Sequence, residues 1–181
     1  MKVQDSYFLT KSDIEKDILV IAYQKKPITM IATIIACISI LLAILLPTWI
    51  HTWIKIPLII ILFLIAGIFF YSAGQLYQNT KQLEQISKNI CSGNFTIIRD
   101  SVQKVFYHEE HYGIIKNKTA AISPQRHNNT YINISDRTAK HAKKEDIIYI
   151  IRDAYSGKFP IAYLAKLTML DPDISERLIN Q

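Results

Sequence analysis

The chain has 181 residues, 50% of them hydrophobic, and its 21 Lys and Arg against 15 Asp and Glu give a net charge of +6. These charges are segregated, because between residues 27 and 80 only Lys55 is formally charged. An average soluble domain carries about 25% charged residues along its whole length. The segregation excludes a single water-soluble globule and indicates a membrane protein with a polar domain attached.

The N-terminal segment predicts an amphipathic helix. Thr10-Lys-Ser-Asp13 has the form of a helix-capping signal. The apolar positions that follow on one helical face are Ile14, Ile18 and Ile21. Two surroundings suit this face, the membrane surface or the C-terminal domain, and the sequence leaves both open.

Two apolar runs, residues 28–50 and 56–76, contain no charged side chain. A hydrocarbon core of about 30 Å needs roughly 20 helical residues, so each run is long enough to span it once. The connection between Pro47 and Pro57 is too short for a domain, which predicts a tight antiparallel transmembrane hairpin. The alternative is a long hairpin buried in a soluble core.

The ends of the two runs carry the residue types that favour membrane interfaces. The predicted interface anchors are Tyr23, Lys25, Lys26, Trp49, Trp53, Tyr71 and Tyr77. Basic residues lie before the first run and after the second, whereas the connection offers only Lys55. The positive-inside rule then predicts a multi-pass protein of the cell (inner) membrane with both termini in the cytoplasm.

Neither run contains Asp, Glu, Lys, Arg or His, which disfavours an ion or proton pathway through this chain. Small residues that would let helices approach closely are Ala66, Gly67, Ser72, Ala73 and Gly74.

The second run continues into a helical stalk that ends before Gly93. Leu76, Leu83 and Ile90 are seven residues apart. This stripe suits either self-association or packing against the protein's own domain, and it is shorter than the three or four heptads of a coiled coil.

Beyond Gly93, short strand-like runs alternate with turn residues. The predicted strands are residues 95–99, 102–107, 112–115, 130–134, 147–152 and 159–164. A hairpin turn is predicted at Ser156-Gly157-Lys158. Asp171 and Pro172 predict the start of a terminal helix that runs to residue 178.

The predicted fold class is α+β: a two-helix transmembrane hairpin with a helical extension, followed by a small antiparallel β-rich soluble domain. The predicted segments are the cytoplasmic N-terminal segment 1–26, the hairpin 27–76, the stalk 77–92 and the soluble domain 93–181.

Two segments carry a resemblance to a protein family. They are Gly93-Asn-Phe-Thr-Ile-Ile-Arg-Asp100, a strand ending in aspartate, and Glu145-Asp-Ile-Ile-Tyr-Ile-Ile-Arg152, an acidic residue leading a buried strand. With the preceding hairpin, this order resembles small membrane proteins of low-GC Gram-positive bacteria that combine a transmembrane hairpin with a β-rich cytoplasmic domain. Those proteins have no established activity, so the resemblance implies an architecture and no function.

His108-Glu-Glu-His111 is the most suggestive cluster for chemistry. On a strand, residues three apart point to opposite faces, so the two histidines do not share a metal without a turn between them. Cys91 lacks the local signature of a catalytic cysteine. No glycine-rich nucleotide motif is present. We therefore predict no catalytic residue, no metal and no cofactor.

Residues 77–181 carry 15 Lys and Arg against 11 Asp and Glu. The clustered basic residues, predicted to contact anionic lipid headgroups, are Arg137, Lys140, Lys143 and Lys144. Nucleic acid is disfavoured as a partner because interleaved aromatic residues and a recognised motif are lacking.

The sequence favours a non-enzymatic integral membrane protein whose cytoplasmic β-rich domain binds another protein or anionic lipid. One alternative is a membrane-bound enzyme that acts on a lipid or peptide through some of His108, Glu109, Glu110, His111 and Cys91. Another is a subunit of a larger membrane complex. Self-association through the hairpin or the stalk is also left open.

Overall fold

A computed structural model describes residues 7–46, 51–127 and 130–179. The elements in chain order are β1 (Tyr7–Leu9), α1 (Lys11–Gln24), α2 (Lys26–Ile44), α3 (Thr52–Cys91), β2 (Phe95–Tyr112), β3 (Ile115–Pro124), β4 (Ile132–Asn133), α4 (Asp136–His141), β5 (Ile147–Asp153), β6 (Ile161–Leu164), a 3-10 turn (Ala165–Leu167), β7 (Thr168–Leu170), α5 (Pro172–Ser175) and β8 (Leu178–Ile179). The predicted combination of two apolar helices with an antiparallel sheet is confirmed.

The described residues divide into two compact units. The first, which we call the sheet unit, lies within residues 7–21, 82–109 and 118–179. The second, the helix unit, lies within residues 22–81 and 110–117. The sheet unit therefore includes N-terminal and stalk residues that the sequence had assigned to separate segments.

The main sheet has the strand order β4-β3-β2-β5-β6, and β8 pairs in parallel with β2. β5 lies between β2 and β6 and is antiparallel to both. β1 and β7 form a separate parallel pair.

The sheet buries side chains on both of its faces. Along β5, Ile151 belongs to one core cluster, whereas Ile148 and Ile150 belong to the other. Successive side chains of a strand point to opposite faces, so a strand covered on both sides reads as a continuous apolar run. This explains the sequence Ile-Ile-Tyr-Ile-Ile of β5.

Helix α1 packs against the sheet unit, which decides between the two predicted surroundings. Ile14 and Ile18 are fully buried in a core cluster that includes Ile97 and Tyr163. The Tyr163 hydroxyl donates a hydrogen bond of 2.9 Å to Asp17. Burial raises the pKa of Asp17 by more than this hydrogen bond lowers it.

The stalk stripe of α3 faces the same cluster. Ile86 and Ile90 are buried there and Leu83 packs against it. This part of the stalk therefore packs against the protein's own domain, and self-association through the stalk stays a prediction.

The ends of α1 and α3 follow from their sequences. The Thr10 backbone N–H and hydroxyl donate to the Asp13 carboxylate at 3.0 and 2.6 Å, and the Asp13 N–H donates back to the Thr10 hydroxyl. These hydrogen bonds lower the pKa of Asp13. After α3, Gly93 has φ +84°, a left-handed conformation that ends a helix and favours glycine.

Strand β2 is longer than predicted because a polar interruption does not break it. Asp100, where the sequence suggested a strand end, is 6% exposed, and its carboxylate accepts hydrogen bonds from the N–H groups of Ser101 and Arg126. The predicted strands 95–99 and 102–107 are therefore one continuous strand.

Three further local predictions differ from the structure. The predicted strand 112–115 is wrong, because Gly113 and Ile114 form the turn between β2 and β3. The short helix α4, capped by Ser135, was not predicted. The terminal helix ends at Ser175 because residues 178 and 179 pair with β2 instead.

Truncation of α1 side chains tests its packing on the sheet unit. We expect Ile18→Ala to lower the free energy of unfolding by about 2–5 kcal/mol, because it leaves a cavity in a full core. Val20→Ala is the matched control, since Val20 is 53% exposed on the same helix. Thermal unfolding of the full chain in a mild detergent measures both variants, and equal effects would contradict the described packing.

Candidate functional site

The apolar segments of α2 and α3 bury mainly small side chains and expose most of their large ones. The buried residues of α2 are Ala32, Ala36, Ser39 and Ala43, which recur every three or four positions along one face. On α3, Ala66, Ser72 and Ala73 are buried. Few of the large residues in the apolar part of α3 are buried. Gly67 and Gly74, also predicted to favour close approach, are exposed with open space around them.

Two helical stretches, Lys11–Ile44 and Thr52–Cys91, are long and apolar enough to cross a membrane. Only 22% and 6% of their most apolar segments are buried inside the protein. The core helix of a soluble protein would be mostly buried, so the alternative of a soluble core hairpin is disfavoured.

A buried ion pair lies within the helix unit. Lys25 is 1% exposed, and its ammonium contacts the Glu110 carboxylate at 2.8 Å. The same ammonium donates to the Asn79 side-chain oxygen at 2.8 Å and to the Tyr112 hydroxyl at 2.6 Å. A lysine has three donor hydrogens, so these acceptors satisfy all of them. We call these four residues the Lys25 cluster.

The Glu110 carboxylate is held in its charged form. Burial acts to raise the pKa of Glu110, but hydrogen bonds from Lys25, Tyr112 and Asn117 and the charge of Lys25 outweigh it. The net result is a pKa below the usual value. The cluster therefore contains a carboxylate and an ammonium that neutralise each other.

The turn next to this cluster also contacts α3. Gly113 has φ +63°, and Ile114 completes a two-residue hairpin turn of the kind that favours glycine first. The Ile114 N–H donates to the Ser72 hydroxyl at 3.3 Å. A Cβ at position 113 would lie 2.2 Å from that hydroxyl oxygen, so this contact requires glycine.

This turn was not predicted, although a Gly-X pair between two strand-like runs is a known hairpin signal. No local sequence pattern indicates the Lys25 cluster, because Lys25 and Tyr112 are 87 positions apart in the chain.

The predicted interface anchors fall into two groups. Tyr23, Lys26, Trp53, Tyr71 and Tyr77 are exposed, and the Lys26 ammonium lies 4.0 Å from the centre of the Tyr23 ring. Lys25 is instead buried, and its ammonium forms an ion pair with Glu110. Trp49 lies outside the described residues.

The predicted basic residues lie in the sheet unit. Lys140 is on α4, Lys143 and Lys144 are in the following loop, and all three are exposed. The side chain of Arg137 lies outside the described part of the structure. The Lys143 N–H donates to Asp146, whose carboxylate also binds Lys166 at 2.6 Å. Burial acts to raise the pKa of Asp146, but these contacts lower it overall.

An open groove of about 710 Å³ lies elsewhere in the sheet unit. Its buried Asp153 carboxylate accepts hydrogen bonds from the Asn89 amide at 3.0 Å and the Ser156 N–H at 2.8 Å. Its Lys158 ammonium donates to the Gln82 amide oxygen at 2.6 Å. Internal partners thus occupy the charged groups of the groove, which leaves mainly amides and hydroxyls for a ligand.

The candidate catalytic residues from the sequence lie at the end of α3 and on the last part of β2. The His108 ring lies against Tyr131 with centroids 3.7 Å apart, and Glu110 belongs to the Lys25 cluster. Cys91 is exposed at the end of α3, and none of these residues lines the groove. Within the described ranges, no group of three or more His, Cys, Asp or Glu is arranged to hold a metal ion.

The depressed pKa of Glu110 gives the protein an acid-sensitive contribution to stability. Because the folded state holds this pKa below its usual 4.5, the contribution is complete above pH 4.5 and is lost as the pH falls through the folded value. We expect Glu110→Gln to be less stable than wild type at pH 7, with the difference shrinking below pH 4.5.

The measurement is thermal unfolding of the full chain in mild detergent between neutral and acidic pH. Glu176→Gln is the control, because Glu176 is exposed. A Glu110→Gln difference that stays constant across this range would contradict the ion pair.

Comparisons with protein-family models, curated proteins and solved structures find no match to this chain. Its function is therefore inferred from the chain's own residues and geometry.

Proposed function

We propose that this chain is a multi-pass integral membrane protein that holds a binding domain at the cytoplasmic surface of the cell membrane. The two apolar helices form the anchor, and the sheet unit binds anionic lipid headgroups or, alternatively, a protein partner. The single observation that supports the anchor is the exposure of large apolar side chains along α2 and α3.

Large apolar side chains are exposed at many positions along both helices. Ile34 is 53% exposed and Leu41 56% on α2, and Ile60 is 53% and Leu64 61% on α3. Fully burying one such side chain is worth about 1.5–3 kcal/mol, so leaving many of them in water would be very costly. Small residues inside and large apolar residues outside are typical of helices that pack in lipid.

The basic residues support an orientation with both termini in the cytoplasm. Lys26 and Lys81 are exposed near the chain ends of the helix pair, whereas Lys55 is the one charged residue near the connection. Membrane proteins favour basic residues on the cytoplasmic side.

The exposed lysines of α4 and the following loop support lipid binding. Near an anionic membrane surface, each basic residue contributes about 1 kcal/mol of binding. Lys140, Lys143 and Lys144 are therefore expected to strengthen binding by up to roughly 100-fold together. The internal pairing of the charged groups in the groove favours binding over catalysis as the role of the sheet unit.

Charge reversal of the three lysines tests this proposal. The full chain is placed in zwitterionic nanodiscs, and its binding to vesicles containing phosphatidylglycerol is measured by flotation. We expect Lys140→Glu, Lys143→Glu and Lys144→Glu together to weaken binding at least tenfold, because three attractive charges become repulsive.

The matched control combines Lys16→Glu, Lys88→Glu and Lys104→Glu, which changes the net charge equally at other exposed positions. An equal loss in both triple variants, or no loss in the first, would contradict a lipid-binding role for this segment.

A further inference from the structure

The tip of the β2–β3 hairpin lies beside an uncharged part of α3. Ser72, which accepts the hydrogen bond from the Ile114 N–H, is nine residues before Lys81, the next charged residue along the helix. At a helical rise of 1.5 Å per residue, this is a distance of about 13 Å along the axis. Ser72 also lies within the apolar run 56–76, so the tip contacts α3 where the helix is expected to be in the membrane.

The tip has the composition of a segment that contacts lipid. Residues 112–115, Tyr-Gly-Ile-Ile, contain no charge. Ile114 is 55% exposed although it is a large apolar residue, and the nearby α3 side chains of Ile68 and Tyr71 are 45% and 63% exposed. Exposed apolar side chains therefore lie both on the hairpin tip and on the adjacent part of α3.

Two polar groups at this end of the hairpin have internal partners. The Ser72 hydroxyl accepts the Ile114 N–H, which would otherwise be costly to place in an apolar environment. The Lys25 cluster neutralises the Glu110 charge at the base of the tip. Asn79, its partner on α3, is seven residues from Ser72, or about 10 Å along the helix.

We propose that residues 112–115 are a third membrane-contacting element, inserted at the boundary between lipid headgroups and acyl chains with Ile114 facing lipid. The proposal rests on the membrane anchor proposed above. The partner is the lipid bilayer itself, and the Lys25 cluster keeps the tip against α3 at that depth.

Depth-dependent fluorescence quenching tests the insertion. Single cysteines at Ile114→Cys, Phe63→Cys and Tyr155→Cys are made in a Cys37→Ala, Cys91→Ser background and labelled with an environment-sensitive fluorophore. The full chain is reconstituted in phosphatidylcholine vesicles that contain lipids with a nitroxide near the headgroup or deep in the acyl chain. All three positions are exposed in the protein, so the labels do not disturb its core.

We expect the label at 114 to be quenched at least twofold more by the shallow nitroxide than by the deep one. The label at 63 should be quenched more by the deep nitroxide, and the label at 155 by neither. Glu110→Gln should reduce the quenching at 114 and leave that at 63 unchanged.

The other outcomes separate the two proposals. If 114 resembles 155 while 63 is quenched, or if 114 is quenched mainly by the deep nitroxide, the boundary insertion is wrong and the anchor stands. If 63 is not quenched by either lipid, the membrane anchor itself is wrong.

Discussion

A buried ammonium group has to find an acceptor for each of its hydrogens, and in the helix unit Lys25 does so with Asn79, Glu110 and Tyr112. Removing one partner from a buried ion pair costs about 3–5 kcal/mol, because the other charge is left without compensation. Two of the three acceptors come from the end of β2, so satisfying Lys25 requires this end of the strand to lie on the helices. The same constraint brings Gly113 close to Ser72. A side chain at position 113 would collide with the Ser72 hydroxyl, so this position requires glycine.

The two units differ in which apolar residues they bury. The sheet unit places large residues such as Ile97 and Ile148 inside, on both faces of a central sheet, and covers one face with α1 and the end of α3. The helix unit places Ala36 and Ala73 inside and leaves residues such as Leu64 outside. The first arrangement suits water, where burial of apolar surface stabilises folding. The second suits a solvent that is itself apolar, where close packing of helices is the remaining advantage.

Local sequence patterns were sufficient to predict the elements whose conformation depends mainly on neighbouring residues. The two apolar helices, the capping signal of Thr10 and Asp13 and the strand β5 were predicted from composition, spacing and periodicity. Strand β3 was not predicted because its residues 116–119 are all polar and show no apolar alternation. Its pairing with the neighbouring strand β2 is visible only in the tertiary fold. The candidate site was not predictable: Lys25 reads as an interface lysine and Glu110 as part of a polar turn, and only the tertiary fold brings them together.

A double-mutant cycle between Lys25 and Glu110 tests the central constraint most directly. The free energy of unfolding of the full chain in mild detergent is measured for wild type, Lys25→Met, Glu110→Gln and the combined variant. Exposed ion pairs couple by no more than about 1 kcal/mol, whereas contacting residues in one buried network couple more strongly. We expect a coupling energy above about 1 kcal/mol, with the double variant less destabilised than the sum of the two single variants. A coupling at or below about 1 kcal/mol would contradict a buried pair on which the hairpin tip depends.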